Sequence, residues 1–88
     1  MQHRYTVTHE KTFELRLAEL WTANHHVQEA MDELEPVLRT IPEQAGREFM
    51  AQGRSFWHIA HQMIEIVYEI QEDDCRVRLI DVRLRRHF

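Results

Sequence analysis

The hydrophobic period of this chain changes near Arg47, and that change constrains its fold more than any other feature. Before it, apolar residues recur every three or four positions; after it, they alternate. A helical pattern cannot settle as a strand, nor a strand pattern as a helix. The first half is therefore read as helical and the second as sheet, with one short strand, Tyr5 to Thr8 (YTVT), ahead of both.

In the helical half, Phe13, Leu17, Leu20 and Trp21 fall on one face. Glu10 and Glu14 lie in the opening turns, where the helix dipole favours acids. Asn24 and two histidines interrupt the pattern, and Asn24 is placed to cap a second helix. That helix carries Val27, Ala30, Leu34, Val37, Leu38 and Ile41 on one stripe. Pro36 within it removes a backbone donor and crowds the preceding turn, which predicts a kink rather than a break because the stripe continues. Pro42 and Gly46 close it.

The sheet half reads as three strands: Arg54 to Ala60, Met63 to Gln71, and Cys75 to Arg85. His61-Gln62 and Asp73-Asp74 are the connections. Pairing the last two strands about Asp73-Asp74 sets Gln71 against Arg76, Ile70 against Val77, Glu69 against Arg78 and Tyr68 against Leu79. One step on, Ile66 would meet Asp81. An extra residue at Leu79-Ile80 restores Ile66 to Val82, Glu65 to Arg83 and Ile64 to Leu84. A one-residue slip turns every side chain to the other face, so a β-bulge is expected there. The alternative is a central strand covered on both faces. The expected fold class is α+β, in the order β-α-α-β-β-β, with a helical hairpin on one face of a small, mostly antiparallel sheet. The open face would carry Glu65, Glu69, Arg78 and Arg83.

Length and composition narrow the classes. Eighty-eight residues suit a single domain spanning 1–88. No apolar run is long enough for a membrane span, and none follows Met1 as a signal peptide requires, so a cytoplasmic protein is expected. One cysteine allows no intrachain disulfide. The histidines show no ligand spacing, so neither a metal nor another cofactor is expected. Net charge is −4, yet the segment from Arg76 onward is rich in arginine. The acidic total argues against broad coating of nucleic acid, while that cationic end suits an anionic surface or acidic partner.

The ordered set LAELW (Leu17 to Trp21), then Val27, Ala30, Asp32-Glu33-Leu34, Leu38, Pro42, Gly46, Gly53-Arg54, IVYEIxEDD (Ile66 to Asp74) and RVRLIDVR (Arg76 to Arg83) resembles the RelE/ParE superfamily. These are the toxin halves of bacterial type II toxin–antitoxin pairs. The resemblance covers nearly the whole chain. It implies a compact toxin fold and a cognate antitoxin that wraps and neutralises it. It also implies one of two targets: DNA gyrase for the ParE-like branch, or messenger RNA in the ribosomal A site for the RelE-like branch. A homodimer and a toxin–antitoxin hetero-oligomer both remain open.

Cleavage of RNA needs a general base, cations on the phosphate and an acid for the leaving oxygen. By resemblance to RelE-like toxins, His87, Arg83 and Arg54 are the candidate catalytic residues, and Arg47 and Arg85 the candidate substrate-binding ones. Phe49, Met50 and Arg78 are the candidate partner-binding residues, the first two as an exposed apolar patch. Against a nuclease stand the missing lysines, the loss of a terminal tyrosine hydroxyl at Phe88, and Glu65, whose carboxylate repels phosphate. The sequence thus leans to a ParE-like or degenerate toxin. A RelE-like endoribonuclease and a non-toxic protein-interaction module are the alternatives.

Overall fold

The computed structural model describes residues 4–85. Strand β1 (Thr6–His9) leads into helices α1 (Lys11–Ala23) and α2 (His26–Thr40), followed by a single turn of helix, α3 (Pro42–Ala45). Strands β2 (Arg47–Ala51), β3 (Arg54–His61), β4 (Ile64–Gln71) and β5 (Arg76–Leu84) complete the chain. The sheet order is β1-β5-β4-β3-β2, antiparallel except that β1 runs parallel to β5. The α+β class and the layering are as the sequence implies. Two elements are additional: α3, and the edge strand β2, which lies in the stretch read above only as a lead-in to β3.

The helix stripe of α2 buries Val27, Ala30, Met31, Leu34 and Leu38. The helix runs unbroken through Pro36, but it stops at Thr40, so Ile41 lies beyond it and is 38% exposed. Helix α1 contributes less than its spacing implies. Only Phe13 is buried; Leu17 and Leu20 pack at the margin, and Trp21 is exposed and stacks on His25, with ring centroids 4.9 Å apart. Asn24 acts one position earlier than a cap. Its Oδ1 accepts the His26 backbone N–H at 2.9 Å, an Asx turn leading into α2.

From the sheet, Ile64, Ile66, Tyr68, Val77, Leu79 and Val82 face this helical layer and are buried. Burying each side chain of this size contributes roughly 1.5–3 kcal/mol. The β4–β5 register is the one the side-chain pattern demands. Gln71 pairs with Arg76 through to Tyr68 with Leu79, then Val67 with Asp81 through to Ile64 with Leu84. The shift between Val67 and Tyr68 leaves Ile80 as the bulged residue. Helix α1 fastens this bulge: the Thr12 hydroxyl donates to the Ile80 carbonyl at 3.2 Å, and the Glu10 N–H to the Leu79 carbonyl at 3.0 Å.

The connections differ from expectation by a residue or two. The β3–β4 turn is Gln62-Met63, with Gln62 at φ 54°. The β4–β5 connection is a 3-10 turn, Glu72–Asp74, closed by Cys75 in the left-handed region. Gln52 and Gly53 both have positive φ and join β2 to β3, the geometry of a two-residue hairpin that matches strand twist.

Two tyrosines tie the helical segments to the sheet. Tyr68 Oη donates to the buried Pro42 carbonyl at 2.7 Å. Gly46 makes room for it: a Cβ there would lie 2.3 Å from that hydroxyl and 2.6 Å from the His58 carbonyl oxygen. Tyr5 Oη lies 2.8 Å from a Glu43 carboxylate oxygen and 3.0 Å from one of Glu72, joining β1 to α3 and to the β4–β5 turn. Burial raises the pKa of both phenols above the ordinary tyrosine value; for Tyr5 the two carboxylates add to the effect.

Candidate functional site: a charged cleft on the open sheet face

Strand alternation puts Arg54, Phe56 and His58 of β3, Glu65, Val67 and Glu69 of β4, and Arg78, Asp81 and Arg83 of β5 on the face away from the helices. Arg47 and Phe49 of β2 join them, through their pairing with His58 and Phe56. The charges on this face fall into two groups.

The first group is a chain of ion pairs. Glu69 is 8% exposed and is held by two arginines. Arg54 donates to one of its oxygens, and Arg78 Nη1 lies 3.2 Å from the other. Arg78 also grips Glu10, with contacts of 3.0 and 3.2 Å. The Arg54 guanidinium further lies over the Phe56 ring, 5.4 Å from its centroid. Burying a carboxylate is costly without such partners. These arginines are therefore committed to the fold.

The second group lines a cleft of about 290 Å³ formed by Phe49, His58, Glu65, Val67, Asp81, Val82 and Arg83. Arg83 Nε donates to Glu65 Oε1 at 2.7 Å, while His58 Nδ1 lies 3.8 Å from Glu65 Oε2. Phe49 meets His58 edge-on, at 5.7 Å between centroids, and Phe56 at 5.9 Å. Asp81 Oδ1 accepts the Val82 N–H at 2.9 Å, an arrangement set by the bulge immediately before it. Among the described residues neither Asp81 nor Arg47 makes an ion pair.

The residues singled out in the sequence are thus dispersed. Arg83 lines the cleft, but Glu65 engages it. Arg54 and Arg78 belong to the other group. Arg47 is exposed on β2 beside His58. Arg85 follows β5, where its backbone N–H meets the Met63 carbonyl at 2.8 Å, and it does not line the cleft. His87 lies outside the described residues. Phe49 and Met50 do not form one patch, because β2 is a strand and turns them to opposite faces. Phe49 lines the cleft, and Met50 is 66% exposed on the other side. Sequence reasoning passed over His58 and Asp81. Their signal was present in the bulged register, which sets Asp81 across from Val67, itself paired with His58.

The fold is a five-stranded mixed sheet backed by a helical hairpin, with charged residues on its bare face. The solved structures agree. The chain is similar to a chain of the toxin–antitoxin complex RelBE2 from Mycobacterium tuberculosis (TM-score 0.81, 19% identity, covering 93% of this chain and 99% of that one). It is also similar to a chain of the archaeal RelE–RelB complex from Pyrococcus horikoshii (TM-score 0.71, 14% identity, covering 97% and 99%). At these identities the likeness is one of fold. No family profile and no curated protein matches the sequence.

Proposed function

We propose that this chain, as a single domain, is the toxin of a type II toxin–antitoxin pair, neutralised by a cognate antitoxin in a hetero-oligomer. The observation that supports this reading is likeness over nearly the full length of both chains to two toxin–antitoxin complexes. Within that reading, a ParE-like action on a protein target, DNA gyrase in the cytoplasm, is favoured over RNA cleavage. Three of the candidate arginines, Arg54, Arg78 and Arg83, already meet carboxylates. A phosphodiester would have to displace Glu65 or Glu69 before these cations could hold it.

One observation supports the RelE-like alternative: a histidine beside a carboxylate in a cleft, His58 near Glu65, with Arg47 adjacent and without an ion pair. Expression in the absence of the antitoxin gene tests the general reading, with growth arrest expected and healthy cells making folded protein opposing it. Inhibition of supercoiling by purified gyrase supports the favoured action. Cleavage of ribosome-bound message, abolished in His58→Ala, would replace it with the nuclease.

A further inference from the structure

The sheet order leaves β2 paired on one side only, against β3. The two-residue turn Gln52-Gly53 fixes which backbone groups of β2 face that neighbour. Ala51 and Arg54 flank the turn and form a hydrogen-bonded pair, and the pairing alternates from there. Arg47, Phe49 and Ala51 thus turn their N–H and carbonyl groups toward β3, while Glu48 and Met50 turn theirs outward. Met50 is also 66% exposed. The devices that usually blunt a sheet edge are missing. Strand β2 holds no proline and no lysine, and its register with β3 runs without a bulge. Its acid, Glu48, is drawn back over the sheet, where its carboxylate accepts the Ser55 hydroxyl of β3.

Outward N–H and carbonyl groups at this spacing select an extended strand. The segment Arg47–Ala51 is itself a matching strand, because its outward groups lie symmetrically about Phe49. We propose that β2 pairs antiparallel with β2 of a second copy of this chain, about a two-fold axis at Phe49. Glu48 of each copy then lies opposite Met50 of the other, and the two residues exchange hydrogen bonds in both directions. Phe49 meets its counterpart at a non-hydrogen-bonded position, where cross-strand side chains approach most closely. Phe49 already packs on Phe56, with ring centroids 5.9 Å apart, so the paired copies make one row of rings across the open face. No like charges oppose each other in this register, since Arg47 falls opposite Ala51 and Glu48 opposite Met50. A two-fold contact of this kind closes on itself, which gives a dimer and not a filament. The inference goes beyond the toxin reading and does not depend on it.

Sedimentation equilibrium of the full chain alone tests the pairing. A reversible dimer is expected, with a dissociation constant of about 10–100 µM, the weak range that suits a small contact. Met50→Pro deletes the outward N–H of each copy and no bond to β3, a substitution an edge strand tolerates. It is expected to weaken the dimer at least roughly tenfold. Amide hydrogen exchange reads the register in the unaltered chain. Raising the concentration through the dissociation constant should slow Glu48 and Met50 more than Arg47, Phe49 and Ala51, which β3 already protects. If Met50→Pro fails to fold, this alternation decides alone. A chain that stays monomeric to about 1 mM overturns the inference. So does a dimer that Met50→Pro leaves unchanged, or one without added protection at Glu48 and Met50, because the contact then lies elsewhere. Protection of those two amides only when a different protein is added would also overturn it, by making the edge a site for a foreign strand.

Discussion

At the scale of single residues, Gly46 and Tyr68 illustrate a position set by space rather than by backbone angle. Gly46 has an ordinary extended conformation, φ −113°, yet any side chain there collides with the Tyr68 hydroxyl and the His58 carbonyl. Gly46→Ala is expected to cost roughly 1–3 kcal/mol in chemical denaturation, the usual penalty for overpacking. Tyr68→Phe leaves the buried Pro42 carbonyl without its donor and is expected to cost roughly 1–3 kcal/mol. The same hydroxyl gives a pH signature. A phenol whose pKa is raised on folding keeps its proton in the native state while the unfolded chain loses it, so stability is full below pH 10 and falls as pH rises above that value. Urea midpoints measured across this range should decline less steeply for Tyr68→Phe than for the wild type. Tyr5, whose pKa is raised in the same direction, contributes to the remaining slope.

At the scale of elements, the bulge at Ile80 decides which side chains of β5 reach the core. Deleting Ile80 would remove the extra residue and leave Val67 against Asp81, Ile66 against Val82 and Ile64 against Leu84 in a regular ladder. The deletion is therefore expected to keep cooperative unfolding in urea, as is Ile80→Ala; loss of cooperativity on deletion would mean that the bulge itself is needed. A second junction holds the β3–β4 turn to α2. His61 Nε2 lies 2.7 Å from Glu33 Oε1, and the Gln62 amide donates to the same oxygen at 3.2 Å. These hydrogen bonds, the one with His61 foremost, lower the Glu33 pKa below its ordinary value of 4.5. A depressed carboxyl supports the fold above that value, and its contribution is lost as pH falls through the lowered one. Carbon-detected titration of Glu33 should show this midpoint returning to the ordinary value in a His61→Ala, Gln62→Ala double variant.

At the scale of the whole molecule, acidic balance and paired arginines act together. With net charge −4, much of the open-face arginine charge is spent internally. Glu65→Gln raises the net charge by one unit and removes the anion that holds Arg83. The double variant Lys11→Gln, Glu65→Gln, which has the wild-type net charge, is still expected to elute from heparin at higher salt than the wild type. If it elutes with the wild type, retention reports net charge alone and Arg83 is not restrained in solution.

The sequence by itself determined the class, the order of the main elements and the β4–β5 register, bulge included. The reason is that alternation and helical period are local, and a mispaired register would bury Asp81. It could not determine how α1 divides its apolar residues between core and solvent, because Leu20 and Trp21 are equally apolar and only packing separates them. Nor could it find β2, a short edge strand that β3 supports on one side. The site was legible only in part. The register already set Glu69 against Arg78 and Glu65 against Arg83; only the assembled sheet brings Arg54 of β3 to the same Glu69 and Glu10 to Arg78. Whether a charge is spent or available depends on what lies across the strand, and that is settled only when the strands meet.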